Sequence, residues 1–223
     1  MRRLVLVGSL AAALVVGLAI PAAAHPGHDR SGLERPGARV AGLWPGEWVG
    51  RWWEVTLERP AEDQEDPFCA SLGRGVVAPF SLANRELTCS VPEGTRVMAM
   101  LFTNECSNVE EFPYFGGTPR ERRACAVDYD EESLVLLEIT VDGRRTRLDR
   151  RWRAQSPDLV AWLPDDNILG APAGRARYAA DGWFAMTKPL DRGRHRIVGH
   201  TVAEFDGERV DVTGILNLEV TRR

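Results

Sequence analysis

The sequence predicts an all-β protein, an antiparallel β-sandwich or jelly roll of about nine strands with one short helix and two disulfides. Short apolar segments, many of them alternating with period two, are separated by Gly, Pro and Asp turns. Four cysteines follow an export-type leader. Only one segment carries a clear helix start. At 223 residues, the chain has a length common for a single all-β domain.

The sequence of residues 1–24 predicts a signal peptide. A short basic start precedes an apolar run over residues 4–20, and alanines 22–24 suit signal peptidase, which predicts cleavage before His25 and a secreted, extracellular protein. A retained membrane anchor is the alternative, but the run is short for a spanning helix. Cleavage removes two arginines, so the net charge moves from −4 to −6. An acidic surface argues against a nucleic-acid partner, and the mature chain is expected to have no membrane contact.

The mature chain divides into a lead-in and a domain. Residues 25–50 are rich in Gly, Pro and charge without a sustained period, so we expect a loose lead-in. Residues 51–223 are expected to form a single β-sandwich domain. Its first strand is predicted over residues 51–57, where tryptophan and aliphatic side chains alternate with other residues.

The segment from Thr95 to Thr103 is predicted to be the central strand. Its two faces are both apolar, with Val97, Ala99 and Leu101 on one side and Met98, Met100 and Phe102 on the other. We therefore expect it to be covered on both sides. The preceding strand, residues 75–82, contains Pro79 and should lie near an edge because proline cannot donate a ladder hydrogen bond.

The second half of the chain contains the helix and the remaining strands. Thr118, Pro119 and Glu121 form a capping box with proline at the first helical position, which predicts a helix ending near Ala126. Asp142-Gly143 predicts a hairpin turn. The remaining strands are predicted over residues 134–141, 144–148 and 159–163 and in a three-strand meander over 182–188, 195–204 and 210–220.

The four cysteines are Cys69, Cys89, Cys106 and Cys125. An even number in an exported chain predicts two disulfides, while a zinc site is disfavoured because no Cys-x-x-Cys pair occurs. Of the three possible pairings we favour Cys69–Cys89 with Cys106–Cys125, since each then closes one local loop beside the central strand.

The order of these features resembles a family of exported, cysteine-containing, β-rich bacterial proteins of uncharacterised activity. The likeness covers most of the chain after residue 50. It is carried by Trp52-Trp53, Cys69, Cys89-Ser-Val-Pro-Glu-Gly94, Asn104-Glu-Cys106-Ser, Val141-Asp-Gly143, Ser156-Pro157, Asn167-x-x-Gly170, Ala180-Asp-Gly-Trp183, Lys188-Pro-Leu190 and Gly193-x-His195. The resemblance implies the fold and export, and no activity or catalytic residue.

The four histidines are His25, His28, His195 and His200. Cleavage would make His25 the amino terminus, where its amine and ring could bind copper together with a second histidine such as His195, as in copper-dependent lytic polysaccharide monooxygenases. The favoured interpretation is a flexible tail with weak metal binding at most, so no cofactor is predicted and copper is the alternative. His195 and His200 lie on opposite faces of one strand and are poor partners for one metal.

Tryptophan is abundant, with seven residues: Trp44, Trp48, Trp52, Trp53, Trp152, Trp162 and Trp183. Most should fill the core. Aromatic faces also stack on sugar rings, so Trp44, Trp48 and Trp52 are the candidate binding residues, with the first two expected to be the most exposed.

Two charged segments could bind a ligand or a metal ion, and motifs of common enzyme classes are absent from the sequence. Six arginines over residues 143–153 could hold an anionic wall polymer or lipid head groups, although a solvated sheet face is favoured. Asp128 to Glu132 could ligate calcium but lacks the spacing of a recognised loop. No nucleophile elbow, zinc-protease motif, phosphate loop or dinucleotide fingerprint occurs.

The sequence therefore predicts a secreted, non-catalytic binding or structural module at the cell exterior, with no catalytic residue assigned. Its ligand is unknown, and cell-wall or other glycan and a surface protein are the candidate partners. The alternative is a copper-dependent oxidase acting on polysaccharide through His25. A hydrolase with a dispersed site is a third hypothesis, because such sites are defined by geometry rather than by spacing.

Overall fold

A computed structural model describes residues 32–129, 131–205 and 207–222. The predicted signal peptide, His25 and His28 lie outside the described residues. Over the described part the chain forms two α-helices and eleven strands. In chain order these are α1 (Pro45–Leu57), β1 (Phe68–Gly73), β2 (Val76–Phe80), β3 (Glu86–Pro92), β4 (Arg96–Ser107), α2 (Pro119–Ala126), β5 (Leu134–Val141), β6 (Arg144–Arg147), β7 (Arg153–Gln155), β8 (Leu159–Leu163), β9 (Gly174–Met186), β10 (Gly193–Phe205) and β11 (Glu208–Thr221).

The strands form two sheets that face each other across one apolar core. The first sheet has the order β1-β2-β4-β9-β7, with β8 also paired to β9, and the second has the order β3-β11-β10-β5-β6. Inward side chains from both sheets, such as Val97, Trp183, Ile139 and Leu218, form the main cluster. The β-sandwich class is therefore confirmed. Its details differ from the prediction, because there are eleven strands and because the β2–β4 and β3–β11 pairs are parallel.

Helix α1 corrects the predicted first strand and the predicted loose lead-in. Pro45 occupies the first turn, and the backbone N–H of Trp44 donates to the Glu47 carboxylate at 2.7 Å, so the helix begins well before residue 51. Trp48 and Val49 pack on the outer face of the first sheet. Over residues 32–50 the lead-in is therefore packed, and the alternation over residues 51–57 was too short to distinguish a strand from one helical face.

The predicted central strand is confirmed as β4, which lies between β2 and β9 and is covered on both faces. Val97 faces the second sheet, whereas Met98 and Met100 face α1. The register with β9 shifts between Met100 and Phe102, which indicates a bulge. This bulge places Phe102 against Trp183 on the inter-sheet side, not with the two methionines as simple alternation predicted.

The remaining elements mostly follow the sequence. Helix α2 has the predicted capping box, with the hydroxyl of Thr118 accepting from the Glu121 N–H at 3.2 Å. The β5–β6 hairpin and strand β8 are also confirmed. The predicted final meander is wrong in its first step: β9 pairs with β4 in one sheet, while β10 pairs with β11 and β5 in the other. The turn at Asp191 is therefore a crossover between sheets.

Both predicted disulfides are confirmed. Cys69–Cys89 joins β1 of the first sheet to β3 of the second, with Cα atoms 6.4 Å apart. Cys106–Cys125 joins β4 to α2, with Cα atoms 6.0 Å apart. Two disulfides suit an oxidising environment. Among the described residues, no helix has both the length and the apolar character needed to cross a membrane.

Candidate ligand-binding cleft

A cleft of about 370 Å³ lies between the two sheets, bounded by β2, β4, β10 and β11, by the loop after β2 and by Trp52 of α1. None of its lining residues carries a charge. Its volume falls within the usual range for small-molecule sites, which are typically apolar and concave. We therefore treat this cleft as the candidate functional site.

The cleft exists because β2 leaves the first sheet early. Its pairing with β4 is confined to Val76 and Val77, whereas β4 continues to Ser107. Pro79 lies where β2 has only β1 beside it, which agrees with its predicted position near an edge. The space beside the middle of β4 is consequently not filled by a strand.

A pair of glycines deepens the cleft from the opposite sheet. Gly199 of β10 and Gly214 of β11 are register partners, and both lie on the face that points into the core. A Cβ atom added at Gly199 would contact only Leu101, at 4.0 Å from its Cγ. At Gly214 an added Cβ would lie 2.9 Å from the Cβ of Leu82. Gly199 thus leaves space where a sandwich normally places an apolar side chain, whereas Gly214 allows Leu82 of the covering loop to approach β11 closely.

An aromatic stack forms one wall of the cleft. The Trp52 ring stacks on Phe80 with centroids 4.8 Å apart, and Phe80 stacks on Phe68 at 4.9 Å. The Arg59 guanidinium lies 4.1 Å above the Phe68 ring. The buried Trp52 Nε1 has no hydrogen-bond partner among the described residues. Apart from this indole N–H, the wall presents apolar ring surface.

The hydroxyl groups at the cleft already have partners. Thr201 donates to the Leu101 carbonyl at 2.9 Å, and Thr103 donates to the Asp181 carbonyl at 2.8 Å. Ser81 donates to the Gln64 carbonyl at 2.7 Å. With these groups satisfied and no charge present, the cleft suits the hydrocarbon part of a ligand.

The loop over residues 81–85 covers one side of the cleft and is tied down at both ends. The Asn84 side chain accepts from the Thr213 N–H at 3.0 Å. Arg85 forms an ion pair with Asp66 at 2.6 Å. Ser81 and Asn84 have positive φ, which the short polar side chain of asparagine tolerates well. The acidic loop before β1 therefore helps to hold the cover in place.

The three predicted tryptophans do not form one surface. Trp44 is 58% exposed, as expected. Trp48 is 1% exposed and its indole donates to the Val40 carbonyl at 3.1 Å, so its predicted exposure is wrong. Trp52 lines the cleft. The most exposed tryptophan of the described part, Trp162 at 65%, is one that the sequence assigned to a strand and to the core.

The histidines described by the structure are engaged. His195 Nδ1 lies 2.7 Å from the Asp142 carboxylate, and Nε2 lies 2.8 Å from the Asp191 carbonyl. Burial acts to lower the pKa of His195, but these two hydrogen bonds outweigh it and raise the pKa. His200 lies 2.9 Å from Asp211 on the other face, as predicted. Because His25 is not described, the copper hypothesis stays a prediction.

A buried carboxyl pair lies under α1. Glu105 is 4% exposed, and burial with the nearby Glu110 raises its pKa to about 10. Burial also raises the pKa of Glu110, against hydrogen bonds from Ser107 and Glu105 that lower it. Ser107 is fully buried and donates to Glu110 at 2.8 Å. The pair holds a proton beyond the reach of a substrate, so we assign it a structural role.

A second polar network closes one end of the inter-sheet core. Asp181 accepts from the Tyr129 hydroxyl and from the Arg153 guanidinium, both at 2.6 Å. Arg153 also pairs with Glu131 and lies between the rings of Tyr129 and Trp183, with its guanidinium 5.0 and 4.8 Å from their centroids. Burial raises the pKa of Asp181 although both partners lower it. The network satisfies buried charges between the sheets.

The two charged segments of the sequence are largely used within the fold. Asp130, in the predicted calcium segment, lies outside the described residues, and its neighbour Glu131 pairs with Arg150 at 2.8 Å. Arg151 pairs with Asp149 at 2.7 Å. Arg150, Arg151 and Arg153 of the run are therefore used in separate ion pairs. Across the residues that the structure describes, no cluster of three or more His, Cys, Asp or Glu side chains could hold a metal.

The fold and the cleft together define a disulfide-linked β-sandwich with an uncharged, largely apolar cleft between its sheets. No protein-family model and no curated protein matches this chain. Among solved structures, the solution structure of amebosin matches with 14% identity over 66% of this chain and 96% of that chain. Its TM-score of 0.20 is too low to support any argument about fold or function.

Proposed function

We propose that the protein is a secreted, non-catalytic binding module whose inter-sheet cleft takes an uncharged, largely hydrocarbon ligand. The observation that carries the proposal is the cleft of about 370 Å³, which Gly199 and Gly214 line and which has no charged lining residues. Burying hydrocarbon there would gain roughly 25 cal/mol per Å² of apolar surface. Export and membership in the resembled bacterial family belong to the same proposal.

The test uses the mature chain from His25 and a homologous series of 1-alkanols that compete with the neutral dye N-phenyl-1-naphthylamine. Each added methylene should tighten binding about fourfold, from roughly 0.8 kcal/mol per buried CH₂, until the cleft is full. Absence of dye and alkanol binding would refute the proposal.

The Gly199→Leu variant tests the position of the site. Its side chain would point into the cleft, where Leu101 alone is within 4.0 Å of an added Cβ, so dye binding should be lost while thermal melting is retained. Val198→Ile is the matched control, because this neighbouring residue adds volume on the opposite face of the same strand. Equal dye affinity in the two variants would place the ligand elsewhere.

A glycan ligand remains a second candidate, favoured by the 58% exposure of Trp44. Trp44→Ala should then lose binding to wall glycans without a change in melting. Trp48→Ala does not test this idea, since removing a buried tryptophan would unfold part of the core.

A further inference from the structure

The outer face of the second sheet carries a stripe of arginines that the linear sequence does not reveal. Arg194 and Arg196 of β10 alternate with the buried Ile197 and are exposed on the face turned away from the core. Arg192 precedes them with the same two-residue spacing and is also exposed.

Strand β6 extends this stripe. Arg145 pairs in register with Thr140, and Arg147 with Glu138, on the outer face of β5. Those two β5 residues pair in turn with Val198 and His200 of β10. Each successive two-residue step along the sheet therefore presents one arginine, in the order Arg147, Arg145, Arg196, Arg194, Arg192. At about 3.4 Å per residue, the stripe is roughly 27 Å long.

Among the described residues, ion pairs neutralise little of the positive charge of the arginine stripe. Arg192, Arg194 and Arg196 have no carboxylate within ion-pair distance among the described residues, and Arg147 donates only to the Val135 carbonyl, at 3.1 Å. Arg145 alone pairs with an acid, Glu138, at 3.2 Å. Two further acids, Asp142 and Asp191, lie near the end of the stripe at which Arg192 is located.

These two acids are already engaged or lie at the margin of the stripe. Asp142 accepts from His195 and from the Arg196 backbone N–H. Asp191 precedes Arg192 and contributes its carbonyl to His195. A fourth acid, the exposed Glu219 of β11, is the register partner of Arg194 on the same face. Counting Glu138, Asp142, Asp191 and Glu219 against five arginines, the stripe keeps a net charge of +1 on a chain with a net charge of −4.

We propose that this stripe binds a linear acidic polysaccharide, a chain with carboxylate or sulfate groups repeated along its length. Guanidinium groups bind such oxyanions with paired hydrogen bonds. A series of cations over roughly 27 Å, with a sideways step of two strand spacings (about 10 Å) between Arg145 and Arg196, fits an extended polymer better than a compact anion. Segments 144–147 and 192–198 contain no Phe, Tyr or Trp that would insert into lipid or stack on nucleic-acid bases, and the ring of His195 is held by Asp142 and the Asp191 carbonyl. This inference does not rest on the apolar cleft.

The test measures binding of the mature chain to polygalacturonate and to dextran sulfate, with neutral dextran as the blank, across a range of salt concentrations. The two polyanions distinguish carboxylate from sulfate as the preferred group. Affinity should fall as salt rises, and Arg194→Glu/Arg196→Glu should weaken binding about tenfold or more. The control Arg120→Glu/Arg175→Glu makes the same charge change at exposed positions outside the stripe and should stay within about twofold of wild type.

Three results would overturn the inference. If the protein binds neither polygalacturonate nor dextran sulfate, the inference is wrong. An equal loss of affinity in the stripe variant and in the control variant would show a response to net charge alone. Binding to anionic phosphatidylglycerol vesicles, sensitive to Arg194→Glu/Arg196→Glu and without polysaccharide binding, would assign the stripe to a membrane surface instead.

Discussion

Replacing Glu105 by glutamine should flatten the dependence of stability on pH. The unfolded carboxyl titrates near 4.5, whereas the buried one keeps its proton to about 10, so its contribution is complete below the first value and lost as pH rises toward the second. Across that window the group lowers the free energy of unfolding by up to about 1.4 kcal/mol per pH unit. Glutamine keeps the shape of a protonated glutamate without titrating. Between about pH 5 and pH 7, the variant should therefore gain at most roughly 3 kcal/mol over wild type.

Urea unfolding followed by tryptophan fluorescence measures this gain at each pH. Glu110 has the same direction of pKa shift, so a smaller slope of the same sign should remain in the variant. Glu111→Gln is the control, since Glu111 lies in the same loop and is exposed, and its profile should run parallel to wild type. Parallel profiles for wild type and Glu105→Gln would refute the assignment of a protonated, buried carboxyl.

Two further stability predictions follow from the links between elements. Reducing the disulfides should lower the melting temperature markedly, because each closes a loop of 19 or 20 residues and contributes about 3 kcal/mol in the chain-entropy model; coincident melting curves with and without reductant would contradict this. Asp181→Asn should cost about 3 kcal/mol or more in urea unfolding, since the buried Arg153 guanidinium loses the negative charge of its partner although the amide oxygen can still accept, whereas Asp149→Asn at an exposed position should change little.

The local features that the sequence predicted are those set by short-range chemistry. The capping box of α2, the Asp142-Gly143 turn and the two-sided apolar character of β4 are each fixed by residues within a few positions of one another. The disulfide pairing was favoured for a similar reason, the closure of local loops. The failure at residues 51–57 has the same origin: the seven residues fit two periods, and only the packing of α1 on the first sheet decides between them.

What only the tertiary structure decided is which distant residues meet. Gly199 and Gly214 are ordinary glycines in sequence, and they line the cleft only because β10 and β11 place them side by side and facing inward. The assignment of β9 and β10 to different sheets likewise depends on β9 pairing with β4, far away in the chain. Arg150, Arg151 and Arg153 of the run form ion pairs, whereas Arg145 and Arg147 join the arginines of β10, far away in the chain, on one sheet face. Sequence determines the pattern along each strand, but strand register determines what lies beside it.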